Sequence, residues 1–318
     1  MTGRELVFSN PEVVRLIKGS FVPYAGDQWY LHRQKDAHGE FFWKVVRQGH
    51  HKGQPEDSTR QGIYTATADG QLLRSDHFHP SAERAIGLLQ SSLGRWKEVA
   101  RTALAADEAP PADARFLRTP PKEGLILDAF TRIPRPAAAA SEEWNPNHAT
   151  GRDHVWLTRD EWRSLLPAQW RKGARIPVPR AVMERLVLFH LVDNVRGEPL
   201  VWTRTDLRGA EMALVVEDPT AGRLRLEGTA RMASEGDARG YEARLQGYLE
   251  YDRRADRFRR FDLLSWGEAW GEGPYTRNAP KGRFPLLISF SLAGNTPSDR
   301  VPPQASRDLH GYFSTGRD

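Results

Sequence analysis

Apolar and polar residues alternate with a period of two over the last third of the chain. Leu224, Leu226, Gly228, Ala230 and Met232 alternate with Arg223, Arg225, Glu227, Thr229 and Arg231. Tyr241, Ala243, Leu245, Gly247, Leu249 and Tyr251 alternate with Glu242, Arg244, Gln246, Tyr248 and Glu250. This pattern predicts long antiparallel strands with one apolar and one wet face. Met212 to Val216, Phe258 to Trp266 and Phe284 to Leu292 add three more strands. Turn signals at Asp218-Pro219, Glu235-Gly236-Asp237 and Asn278 to Gly282 separate them. The result is a meander of at least five strands. Upstream the period is 3.6. Residues 179–194 form a helix burying Val182, Leu186, Phe189 and Val192. Thr158-Arg159-Asp160-Glu161 reads as a capping box that opens a helix containing Trp162, Leu165 and Leu166. These helices cover one side of the sheet. Gly124 to Phe130 is read as a strand.

The first hundred residues follow a different plan. Asn10-Pro11-Glu12 opens a helix, with Asn10 as cap and Pro11 at the first helical position, and Gly19 closes it. Phe21 to Ala25 reads as a short strand and 39–47 as a helix, followed by a polar loop from His50 to Arg60. Gly62 to Thr67 and Gln71-Leu72-Leu73 flank Asp69-Gly70, a strong hairpin signal. Ser81 then caps a helix whose apolar face is Ile86, Leu89, Leu93 and Trp96. Pro110-Pro111 and Pro120-Pro121 mark residues 106–123 as a linker. A second irregular stretch runs from Pro134 to Asn147. The predicted organisation is a domain over 1–105, a linker over 106–123 and a helix-covered antiparallel β domain over 124–318.

Composition removes several classes of function. The chain of 318 residues has no cysteine, which excludes disulfides, thiolate nucleophiles and cysteine-ligated zinc or iron–sulfur sites. The net charge of +5 comes from 46 basic and 41 acidic residues that are interspersed. The densest basic run, Arg253 to Arg260, lies beside Asp252 and Asp262 and reads as a solvated strand end, so no nucleic-acid partner is expected. No apolar run approaches the roughly 18 residues of a membrane span. The first residues carry no hydrophobic signal region, and a cytoplasmic location is the expectation. Glycine-rich phosphate loops, the Gly-x-Ser-x-Gly elbow and His-Glu-x-x-His are all missing.

Val7-Phe8-Ser9-Asn10-Pro11-Glu12-Val13-Val14, the run from Phe21-Val22-Pro23 to Asp27, and the segment from Gly62 to Leu73 together carry a resemblance. Residues 5–105 resemble the thioredoxin-like superfamily: a helix, the strand after it, a central hairpin and a last helix. The family's first strand and its Cys-x-x-Cys would lie before Val7, and Gln61-Gly62 stands near the place of the family's cis-proline. The resemblance therefore implies a truncated thioredoxin-like scaffold without the redox chemistry, and none of the family's catalytic residues maps onto this chain. The expected fold class is α+β, with this domain followed by the β-meander.

Four groups of residues could carry chemistry. In an extended segment His77 and His79 point to one face, so both imidazoles could reach one divalent metal ion. His50-His51 is a weaker candidate because adjacent side chains diverge. His148, Asp153 and His154 sit in what reads as an irregular loop. His190 and Asp193, three apart on a helix, form the minimal pair of a general base and its orienting carboxylate. Arg196 and Glu198 follow at the helix end, where an Asp193–Arg196 ion pair is the alternative reading. Small residues on the apolar face of the meander permit curvature or leave room for an apolar ligand, over which a loop with Trp266, Trp270 and Tyr275 could close. Two functions remain open. One is a non-redox binding protein whose sheet domain takes a small apolar ligand or a protein partner, a second copy in a homo-oligomer included. The other is an enzyme or metalloprotein that uses histidine and carboxylate.

Overall fold

Local capping and hydrophobic period set most of the elements in the computed structural model, which describes residues 7–79, 81–99, 118–134, 150–307 and 309–314. The fold is mixed, with a two-stranded and an eight-stranded antiparallel sheet. The chain divides between Arg118 and Thr119 into two compact units. Most of the 106–123 linker and nearly all of the irregular stretch at 134–147, as well as His148, lie outside the described residues. Among the described residues no helix is long and apolar enough to cross a membrane.

In the N-terminal unit, α1 (Pro11–Ser20) starts where Asn10 accepts hydrogen bonds from the Glu12 and Val13 amides. Asp27 caps the single turn α2 (Gln28–Leu31), and Asp36 caps α3 (Ala37–Val46). Strands β1 (Ile63–Ala66) and β2 (Leu72–Asp76) form the expected hairpin, with Gly70 in the left-handed region (φ +82°). The loop is wider than a two-residue turn because the Thr67 amide bonds the Gln71 carbonyl. Ser81 caps α4 (Ala82–Trp96), which packs on α1 and β2 through Val13, Leu16, Ala85 and Leu89. The strand expected at 21–25 is not formed. Among the described residues it pairs with no strand, and Val22 and Tyr24 are 97% and 73% exposed. Its β-propensity finds no ladder to join.

The C-terminal unit is built on β3 (Leu125–Arg132), β4 (Thr150–Leu157), β5 (Arg175–Pro177), β6 (Leu207–Asp218), β7 (Arg223–Ala233), β8 (Gly240–Asp252), β9 (Arg257–Trp270) and β10 (Arg283–Leu292). The order β4-β3-β10-β9-β8-β7-β6-β5 makes a six-stranded meander with the β3–β4 pair added beside β10. All five strands expected in the meander are present. Asp153 and His154, read as part of a loop, lie in β4. Their polar side chains hid a strand that is buried on both faces. The predicted capping box opens α5 (Arg159–Arg163). Helix α6 (Arg180–His190) touches both β6 and β4, which lie near opposite edges, so the sheet curls around it. Arg196 and Asp193 fall beyond its end rather than on it.

The small residues on the inner face serve this curvature. A Cβ at Gly247 would lie 2.2 Å from the Asp262 carbonyl oxygen, and one at Gly267 would lie 1.9 Å from that of Glu242. Leu245, Leu263, Leu286, Ile288 and Phe290 fill the inner face as core, together with Leu186 and Val187 of α6. The apolar face is therefore packed protein, and room for a ligand beneath it is not what the small residues provide.

Candidate functional site

Three imidazoles meet in the N-terminal unit. His50 and His51 lie in the turns after α3, and His77 lies just past the end of β2. The His50 ring centroid is 4.2 Å from that of His51 and 4.3 Å from that of His77, and His51 and His77 are 4.9 Å apart. Each ring offers one nitrogen within 4.8 Å of the other two. A tetrahedral shell with metal–nitrogen bonds of about 2.1 Å places its nitrogens roughly 3.4 Å apart. Small side-chain shifts therefore close the rings on one ion.

The loop that delivers these rings is held from inside. Arg60 is buried, and its guanidinium donates to the carbonyls of Gln54, Pro55, Ser58 and Thr59. Its backbone amide donates to the Gln28 side chain. The His50 amide donates to Ser75 Oγ, which ties the turn to β2. The chain can pass this close only because residue 62 is glycine: a Cβ there would lie 2.5 Å from the His50 ring and 2.6 Å from the Asp76 carbonyl oxygen.

One carbonyl faces both rings. The Gln61 oxygen lies 3.3 Å from His50 Nε2 and 3.0 Å from His51 Nε2. A carbonyl only accepts, so the His50 ring carries its proton on Nε2 and its lone pair on Nδ1. His50 Nδ1 is buried and has no hydrogen-bond partner. His51 Nδ1 lies 3.0 Å from Gln54 Oε1, so this ring takes a metal only when the Gln54 side chain gives up that contact. A histidine that donates its second N–H to a carbonyl is the usual arrangement of a metal ligand. Burial pushes the His50 imidazole below its ordinary value. The Gln61 carbonyl opposes this, the neighbouring His51 and His77 add to it, and Asp76 opposes it. The neutral ring required for metal binding is thereby favoured. Tyr64 stacks on His50 at 5.0 Å and donates to the Arg60 carbonyl, and burial pushes its phenol up to about 12.

The expected pair of His77 with His79 is not what assembles. Residues 77–79 follow the end of β2, so strand alternation does not govern them, and His79 lies 4.0 Å from Asp76 instead. His50 and His51, expected to diverge, tilt together at 45° because they sit in successive turns rather than on a strand.

In the C-terminal unit Asp128, His154 and Asp299 also converge. Their centre is already occupied by a cation. The Arg152 guanidinium lies 2.8 Å from Asp128 and 3.0 Å from Asp299, while His154 Nε2 is 3.3 Å from Asp128. The arrangement fastens the turn at Pro297–Arg300 to β3 and β4. Burial lowers the His154 pKa, with Asp128 acting against it and Arg152 with it. An unfolded histidine titrates near 6.5. Between the lower folded value and 6.5 the unfolded chain binds more protons, so stability falls as pH drops below about 6.5 and levels off beneath the folded value. Urea midpoints measured from pH 7.5 to 5 should show this slope, and His154→Gln should reduce it.

His190 and Asp193 are not brought together. His190 is fully buried, with Nε2 2.7 Å from the Tyr312 hydroxyl and Nδ1 3.4 Å from Asp153. Tyr312 also accepts from the Trp156 amide, and Asp153 accepts from that of Gln304. Every one of these partners is protein, and the group docks α7 (Leu309–Ser314) onto α6 and β4. Asp193 instead accepts from the amides of Val195 and Arg196 and pairs with the Arg196 guanidinium. Arg196 reaches on to the carbonyls of Thr276 and Gly271, pinning the loop after β9. Glu198 is half-buried beside it and Tyr275 is exposed. Trp270 is buried and donates to the Asp237 carbonyl. Trp266 points to the opposite, outer face. There Gln246, Tyr248, Leu264, Leu287 and Ser289 join it in an open groove of about 1080 Å³.

The His50–His51–His77 set could not be read from spacing, because a loop and a hairpin separate its members. Tyr312 and Arg185 gave no signal either; their partners are far away in the chain. No protein family, curated protein or solved structure compared with the chain matches it.

Proposed function

We propose that this chain is a non-redox, metal-binding protein whose N-terminal unit holds a divalent transition-metal ion on His50, His51 and His77. The observation that carries the reading is the buried, unpartnered Nδ1 of His50 beside two further imidazoles, with the Gln61 carbonyl within reach of both Nε2 atoms. An all-imidazole set suits Zn²⁺, Cu²⁺ or Ni²⁺ rather than Mg²⁺ or Ca²⁺. The thioredoxin-like resemblance is kept within this reading only as a proposed scaffold without electron chemistry: α1, the hairpin and α4 follow its order, while the strand it calls for at 21–25 is not formed. Calorimetric titration of the chelator-treated full chain with Zn²⁺ is expected to give one site. His77→Ala should weaken it by roughly a hundredfold or more, since even an outer-shell partner contributes 10- to 100-fold, and His79→Ala should leave it unchanged. Equal binding by wild type and His77→Ala would rule the site out.

A second binding surface is supported by the outer groove around Trp266 and Leu264. Its apolar floor and sparse polar groups suit a small apolar ligand.

A further inference from the structure

Three protein nitrogens do not complete the shell of Zn²⁺ or Co²⁺, which takes four ligands. The nearby oxygen donors are otherwise engaged. The Gln61 carbonyl lies against two imidazoles, and the Tyr64 hydroxyl donates to the Arg60 carbonyl. Asp76, the residue before His77, is held by Arg84 at 2.8 Å and lies 4.0 Å from His79. Among the described residues no fourth histidine or carboxylate belongs to the set, and the chain has no cysteine. Exposure within the cluster is graded: His51 is buried, His50 half-buried and His77 exposed. One side of the cluster is therefore closed by protein and the side of His77 opens to solvent.

From this geometry we infer that the metal held by His50, His51 and His77 keeps a solvent-facing coordination position that takes a small monodentate anion or water. The inference rests on the three-histidine reading given above. It places the centre with sites that exchange an outside ligand, not with closed structural sites, whose four positions all come from protein. His77 forms the rim of the opening.

Co²⁺ is the probe, because its visible absorption reports both coordination and ligand exchange. The full chain, stripped with chelator and loaded with one equivalent of Co²⁺, is titrated with sodium azide. The expected result is a saturable change in the Co²⁺ spectrum, absent from His77→Ala, which should not hold the ion. Failure of wild type to bind Co²⁺ or Zn²⁺ would remove the metal reading and this inference with it. Binding of Co²⁺ with a spectrum indifferent to azide would overturn the open position alone. In that case Asp76→Asn separates the causes: azide sensitivity gained in this variant would assign the fourth position to Asp76.

Discussion

Replacing Arg185 with methionine is expected to destabilise the C-terminal unit by about 3–5 kcal/mol, the cost of leaving a buried charge without its partner. The Arg185 side chain is completely buried and meets Glu161, itself 7% exposed, at 2.7 Å. The rest of the guanidinium faces aromatic rings, with its carbon 4.1 Å from the centre of Tyr312 and 4.9 Å from that of Phe313. Nε and Nη1 have no hydrogen-bond acceptor, so ring faces stand in for part of the solvation that burial removed. Arg185→Met would leave the Glu161 carboxylate with only the Thr158 amide. A double variant, Arg185→Met with Glu161→Gln, removes both charges and should recover much of the loss. Urea unfolding followed by tryptophan fluorescence suits this comparison, because seven of the ten tryptophans lie beyond residue 143. Equal destabilisation of single and double variants would show that lost packing, not the stranded charge, is responsible.

Arg196→Ala is expected to have an effect of the same order, about 3–5 kcal/mol, because it strands the mostly buried Asp193. It also leaves two loop carbonyls, Thr276 and Gly271, without their donors. Arg196→Lys should not restore stability, since an ammonium cannot span a carboxylate and two carbonyls as the planar fork does. This result would separate the two readings of the cluster from Asp193 to Glu198. A tether shows its loss in the unfolding midpoint of the unliganded protein. A ligand-binding arginine would leave that midpoint near wild type. The structure favours the tether, and the sequence had already offered the Asp193–Arg196 ion pair as the alternative to an acid–base pair.

The legible parts of the chain were those governed by neighbours. The Asn10 cap, the Thr158–Glu161 capping box, the Asp69-Gly70 hairpin and the alternation from 223 to 251 all depend on residues a few positions apart, and each formed its element. Strand β4 was missed because it departs from the local rule. Arg152, Asp153 and His154 are polar and yet largely buried, and their partners Asp128, Asp299 and His190 come from three other segments. The segment at 21–25 erred in the opposite direction. Its residues favour a strand, but a strand needs a neighbour to supply hydrogen bonds, and propensity does not create one.

The candidate metal centre divides in the same way. The sequence alone determined that any metal here is bound without a cysteine thiolate, that histidine is the natural ligand, and that His77 is a candidate. Tertiary structure decided the companions. The Arg60 guanidinium gathers the carbonyls of its loop, Gly62 allows the backbone to approach, and the Gln61 carbonyl meets both His50 and His51 beside His77. Hydrophobic period and capping act over one or two turns and can be read along the chain. Convergence of imidazoles from separate turns depends on how a loop closes over a hairpin, and that closure is a property of the packed unit.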